Sequence, residues 1–136
     1  MSKSQIIGWV LSGLIAAMLI FASAGGKFIE WEGKDVQFRE MGWNADVMYT
    51  IGIVEVAIAI LFLLPRVAFI GAILLTAYLG GAVATHLRVS QPFVFPIFFG
   101  VLIWIALGLR DPRVFRLAFQ RSQQASHNAV NDQSSK

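Results

Sequence analysis

The chain contains no cysteine. That excludes disulfides, dithiol redox chemistry, iron–sulfur clusters and thiolate zinc sites in one step. Charge is scarce as well: Asp, Glu, Lys and Arg supply 14% of the 136 residues, where a soluble domain carries about 25%. Histidine occurs only at His86 and His127, the second in a polar tail. A two-histidine haem or a multi-histidine metal site inside one bundle is thereby excluded, and no metal is expected. No P-loop, dinucleotide glycine motif or Ser-His-Asp constellation stands where its mechanism needs it. The formal net charge of +3 is spread along the chain. Nucleic acid, which requires clustered basic residues, is not an expected partner.

What is abundant is apolar surface, at 57% of residues. One domain of this length cannot bury so much against itself, so the lipid bilayer must be part of its solvent. A bilayer core takes roughly 17–25 apolar residues per helix. Runs at residues 6–26, 47–64, 67–87 and 93–109 meet that length. The expected fold is therefore all-α: a polytopic membrane protein built as a four-transmembrane-helix bundle. The Pro65-Arg66 turn is so short that spans two and three are antiparallel neighbours. Lys3, the first apolar run and Ala22-Ser23-Ala24 imitate a signal peptide. That run is long for one, and its Gly8, Ser12, Gly13, Ala16 and Ala17 suit a retained bundle helix.

Four spans put both termini on one side with the Pro65-Arg66 turn. That side holds Lys3, Arg66, Arg110, Arg113, Arg116, Arg121 and Lys136; the other holds Lys27, Lys34, Arg39 and Arg88. The positive-inside rule makes both termini cytoplasmic. Arg88, Arg110, Arg113 and Arg116 read as membrane-surface residues, since arginine snorkels. In residues 27–46, Phe28, Ile29, Trp31, Phe38, Met41 and Trp43 alternate with charged residues, which predicts an amphipathic helix lying on the outer surface. After the fourth span, Asp111 can cap and Pro112 can start an interfacial helix over 112–121. Its Val114, Phe115, Leu117 and Phe119 belong in the interface. Residues 122–136 are rich in Ser, Gln and Asn, a composition that predicts a disordered tail.

Glu55 lies at the centre of span two, in "IGIVEVAIAILF". An acidic residue at that depth costs a few kcal/mol, so it faces the bundle interior and requires a proton or a partner. It reads either as a protonated carboxyl bonding a neighbouring helix or as a binding or proton-handling group. Span three runs antiparallel to span two, which puts Tyr78 at about the depth of Glu55. Thr85 shares nearly the same face, and His86 lies one to two turns further out. A water- or ligand-bridged Glu55–His86 pair follows, with interfacial polarity as the plain alternative for His86. Ala77, Gly81 and Thr85 form a small-residue stripe that lets another backbone approach. Gly80 and Gly81 read first as that helix contact, and second as a place where a ligand presses on bare backbone.

These stretches resemble the DoxX-like family of small four-helix bacterial membrane proteins. The likeness runs from about Trp9 to Arg113. It is carried by "GWVLSGLIAAMLIFASAGGKF" with Lys27 after its small residues, and by "MGWNADVMYTIGIVEVAIAILFLLPR" with Gly42, Gly52 and Glu55. The more specific pieces are "ILLTAYLGGAVATHLRV" and "LRDPR". The resemblance implies a bacterial inner (cytoplasmic) membrane protein. Members of the wider superfamily include a subunit of a membrane thiosulfate:quinone oxidoreductase, proteins associated with oxidative stress, and distant eukaryotic membrane-protein chaperones.

Three functions compete. The first is a quinone- or lipophile-binding accessory subunit beside a membrane redox partner, with no covalently bound cofactor of its own. Its site would be Glu55, Tyr78, Gly80, Gly81, Thr85 and His86. The second is an assembly factor or chaperone whose Ala77/Gly81 stripe and first loop receive another membrane protein's helices; a homo-oligomer is a separate expected partner, which would not by itself support this function. The third is a small acid–base enzyme or proton-coupled transporter, disfavoured by the thinness of four spans and the lack of an inverted repeat.

Overall fold

A computed structural model describes the backbone of residues 1–134, and the side chains of these except 117–126 and 129. The described residues form helices without a strand. Helix α1 spans Lys3–Phe28 and α2 Lys34–Glu40. They are followed by α3 Ala45–Leu63, α4 Ala68–Arg88, α5 Val94–Arg110 and α6 Arg113–Ser134. Three of them (α1, α3 and α4) are long and apolar enough to cross a bilayer, and α5 is a shorter apolar helix of 17 residues. The expected all-α membrane bundle is what the chain forms.

Local chemistry sets the helix ends. Ser2 accepts a hydrogen bond from the Gln5 amide at 3.2 Å and donates its own amide to the Gln5 side chain at 2.9 Å. This reciprocal capping box starts α1. Asn44 caps α3 by accepting from the Val47 amide at 2.8 Å. Pro65 disfavours helical geometry at Leu64, so α3 stops at Leu63. Pro96 falls in the first turn of α5, where a missing N–H costs nothing. Asp111 accepts from the Arg113 amide and pairs with its guanidinium at 2.9 Å. Those hydrogen bonds hold its carboxyl below the usual carboxylate range.

In cross-section α1 packs on α5, α5 on α4, α4 on α3, and α3 back on α1, closing a four-helix ring. Its core holds Ile15, Ile58, Phe62, Leu75, Ile103 and Leu107, concentrated toward the end of the bundle with the chain termini. Two glycines let helix backbones meet. A Cβ on Gly8 would stand 2.6 Å from the Arg110 nitrogen, and one on Gly71 2.5 Å from the Phe62 nitrogen. Large apolar side chains such as Val10, Leu14, Phe21, Ile53, Ile60 and Ile73 stay exposed around the ring, a belt that suits lipid.

Three expectations change. Gly80 and Gly81 are not close-packing positions, because a Cβ at either would meet nothing within 4 Å. Within this chain the Ala77/Gly81 stripe receives no helix. Arg110 is not at the surface: it is buried, donates to the Phe62 carbonyl at 2.9 Å and lies 4.1 Å from the centre of the Trp9 ring. It satisfies one of the orphan carbonyls that end α3. Arg88 is exposed, yet it donates to the Met41 carbonyl and stacks on Trp43, tying the first loop to the end of α4. Finally, the last helix does not end near residue 121 but runs to Ser134, with neither Gly nor Pro to interrupt it. The interfacial positions Leu117, Phe119 and Arg121 lie outside the described side chains, and Lys136 outside the described residues.

Candidate functional site

The site arises because α1 ends early. From Glu55 to the start of α3 at Ala45 is about 15 Å of helix at 1.5 Å per residue, whereas α1 stops one residue after Lys27. The outer half of the ring therefore lacks a full fourth wall. A cavity of about 690 Å³ fills the space. Residues 29–43 fold over it, leaving Ile29 and Val36 exposed on the outside. Trp31, Phe38, Met41 and Trp43 all line the cavity, and Phe38 is buried against the edge of Trp31 at 6.4 Å. The first loop is thus a roof. Its aromatic residues were expected in the lipid interface, but the empty space beneath the loop offers them more burial than a headgroup layer does.

A local distortion aims the base of the cavity. Residues Met18–Ala24 of α1 adopt π-helical geometry, which shifts every following side chain around the helix axis. Met18, Leu19, Ala22, Ser23, Gly26 and Lys27 then face the cavity. Lys27 reaches Glu55 Oε2 at 2.8 Å, and donates also to the Ser23 carbonyl and hydroxyl, each at 3.1 Å. All three N–H groups of the ammonium are used. Glu55 is 0% exposed, and its other oxygen, Oε1, has no hydrogen-bond partner. Such an orphan is rare because a buried, unsatisfied acceptor is costly.

The wall opposite is α4. Ala77, Tyr78, Gly81, Ala82, Thr85 and His86 line the cavity along that helix, while Gly80 does not. The Tyr78 hydroxyl lies beside both Glu55 and Ser23. His86 Nδ1 is 2.7 Å from the Ala82 carbonyl. A carbonyl only accepts, so Nδ1 carries a proton, and Nε2 is the ring nitrogen left to meet a ligand. Phe95, Pro96 and Phe99 of α5 complete an apolar side. Of the six residues expected at a ligand site, five border one cavity and Gly80 faces away.

Sequence reasoning missed Lys27 as the partner of Glu55, assigning it to the membrane boundary. The available signal was the need of a mid-span carboxylate for a cation, with Lys27 standing at the end of the first apolar run. The π-helical segment has no sequence signature that would have set the register. The inward roof was unreadable for a related reason: the alternation of aromatic and charged residues gives amphipathicity, not the direction of the apolar face.

No curated protein and no solved structure matches the chain. A family model described as the DoxX-like family does match, over residues 10–106, which takes in Lys27, Glu55, the roof and the α4 wall. This polytopic helical membrane protein belongs to the DoxX-like family.

Proposed function

We propose that the chain is a quinone- or lipophile-binding accessory subunit of a membrane redox or stress-response assembly. One observation carries this reading: the orphaned Oε1 of a fully buried Glu55 stands at the base of an apolar cavity. Small-molecule sites typically measure about 300–1,000 Å³ and combine apolar walls with a few convergent polar groups. The volume and lining fit that description. The π-segment supports it too, since such irregularities concentrate at functional sites.

The residues suggest a division of labour. Lys27 holds the carboxylate by one oxygen and leaves the other for the ligand. Tyr78 and His86 offer further polar contacts at the base and wall, and Gly81 lets a ring or tail lie against bare backbone. Trp31, Phe38, Phe95 and Phe99 cover the apolar body of the ligand. A receiving surface for another protein's helices loses its main support, because Ala77 and Gly81 face the cavity.

The test is extraction with native lipids, mass spectrometry of the bound fraction, and titration with a decyl-substituted benzoquinone in both redox forms. The expected result is a copurifying lipophile and saturable binding of at least one form, weakened tenfold or more by Glu55→Gln. Absence of any bound lipophile, together with no saturable binding of either form, removes the reading.

A further inference from the structure

The end of the bundle that holds the chain termini carries a second cavity, of about 800 Å³, which shares no lining residue with the first. We propose that it is a binding site for a phosphate group, supplied by the headgroup of an anionic phospholipid.

The charge of its lining is lopsided. Arg66, Arg110, Arg113 and Arg116 border the cavity, and Asp111 is the one acid among the described lining residues. Both oxygens of Asp111 are engaged by Arg113, at 2.9 Å from Nε and 3.0 Å from Nη2. Asp111 can balance one arginine, which leaves an excess of three positive charges on the lining. They converge from separate parts of the chain: the Pro65-Arg66 turn, the last residue of α5 and the first turn of α6.

Arg110 is built into the site. It is 7% exposed, and a charge buried that far without a counter-charge is costly. Its guanidinium donates to the Phe62 carbonyl at 2.9 Å, the one hydrogen bond it makes among the described residues, and lies 4.1 Å from the centre of the Trp9 ring. Contact with an aromatic ring steadies a guanidinium but satisfies none of its five N–H groups. Capping the end of α3 needs one donor and no charge. Arg110 therefore stands held in place with most of its donors unspent, ready to meet two oxygens of one anion as a fork. The backbone adds to the field. The first turn of α4 borders the cavity through Ala68 and Phe69, has no side-chain cap and holds no acidic residue. Its orphan N–H groups and the positive end of its dipole favour an anion nearby.

A phosphate group spreads its charge over enough oxygens to engage several arginines at once, where a carboxylate has only two. The place selects the source. The cavity lies where α3 and α5 end and α4 begins, the level of the headgroups, and basic pockets between helices there suit acidic lipids. Phosphatidylcholine brings a cation with its phosphate and would leave the excess unchanged. Phosphatidylglycerol would reduce it.

The probes are dioleoyl phosphatidylglycerol and dioleoyl phosphatidylcholine, offered in equal amounts to the full-length protein in uncharged detergent and counted by native mass spectrometry. Retention of the phosphatidylglycerol should be favoured by about tenfold or more. Arg66→Gln should cut that preference by about fivefold, the contribution of one basic side chain beside an anionic headgroup. Arg39→Gln, which removes one charge at the roof end, should leave it unchanged. Both side chains are exposed, so neither change endangers the fold. Equal losses in the two variants would mean attraction to net charge alone, and would overturn the site. Thermal unfolding in sodium phosphate against sodium chloride at matched ionic strength separates the sources. Saturable protection by inorganic phosphate, with no preference for the lipid, supports the phosphate site and overturns the lipid as its source. No preference for phosphatidylglycerol together with no protection by phosphate overturns the proposal.

Discussion

Lys27 and Glu55 make a pair whose members cannot be removed one at a time. The side chains are 10% and 0% exposed, and their atoms meet at 2.8 Å. Desolvating two charges is expensive, and their attraction offsets the cost only while both are present. Lys27→Met should therefore destabilise the bundle by about 3–5 kcal/mol, the cost of leaving a buried charge unpartnered. Replacing both residues, as in Lys27→Met with Glu55→Leu, should restore most of that stability yet abolish ligand binding. Thermal unfolding in mild detergent, read alongside a ligand titration, checks both halves. A single Lys27→Met variant as stable as the native protein would show that the pair is weakly coupled. At this scale the sequence was half legible: mid-span Glu55 announced itself by its cost, and Tyr78 by matching depth. Lys27 stayed hidden because its role depends on the π-helical turn over Met18–Ala24.

Helices tell a different story, because periodicity reports which residues are apolar but not which apolar face meets protein. The four long elements were readable from run length, and the end of the second from Pro65, whereas the caps at Ser2 and Asn44 emerge only in the structure. Glycine function was not. Gly71 and Gly80 sit on the same helix in similar company, yet only Gly71 lies against another backbone. A methyl group added at Gly71 would press on Phe62 main-chain atoms at 2.5 and 2.6 Å, which have nowhere to yield. Gly71→Ala should cost about 1–3 kcal/mol, the usual penalty of overpacking. Gly80→Ala meets open space and should stabilise α4 by up to about 1 kcal/mol through helix propensity. Opposite signs in parallel unfolding measurements would establish the assignment; equal destabilisation would mean that Gly80 packs against a partner outside this chain. The roof teaches the same lesson. Its amphipathic pattern was plain, but only the depth at which α1 ends, below the outer end of α3, decides that Trp31 and Phe38 line the cavity.

For the whole molecule, the distribution of cations and the position of the cavity together predict an orientation. Seven of the eleven Lys and Arg residues lie on the side of the termini and the Pro65-Arg66 turn, and four on the side of the roof. Of those four, Lys27 is drawn into the bundle by Glu55 and Lys34 is buried against Glu30 at 3.0 Å. Only Arg39 and Arg88 remain there without an acidic partner among the described residues, so the retained positive charge lies more steeply on the terminal side. The positive-inside rule then predicts both termini in the cytoplasm and the roof outside. In that arrangement a ligand would enter from the outer half of the bilayer, between α4, α5 and the roof. The absence of cysteine makes the test clean, since any introduced thiol is the sole target. Glu32→Cys, in the exposed turn before α2, should react in intact spheroplasts with a maleimide that cannot cross the membrane. Ser2→Cys, at the start of α1, should react only after the membrane is opened. The reverse pattern would place the cavity on the cytoplasmic side, and would make Lys3, Arg66, Arg113 and Arg116 part of an outer surface instead.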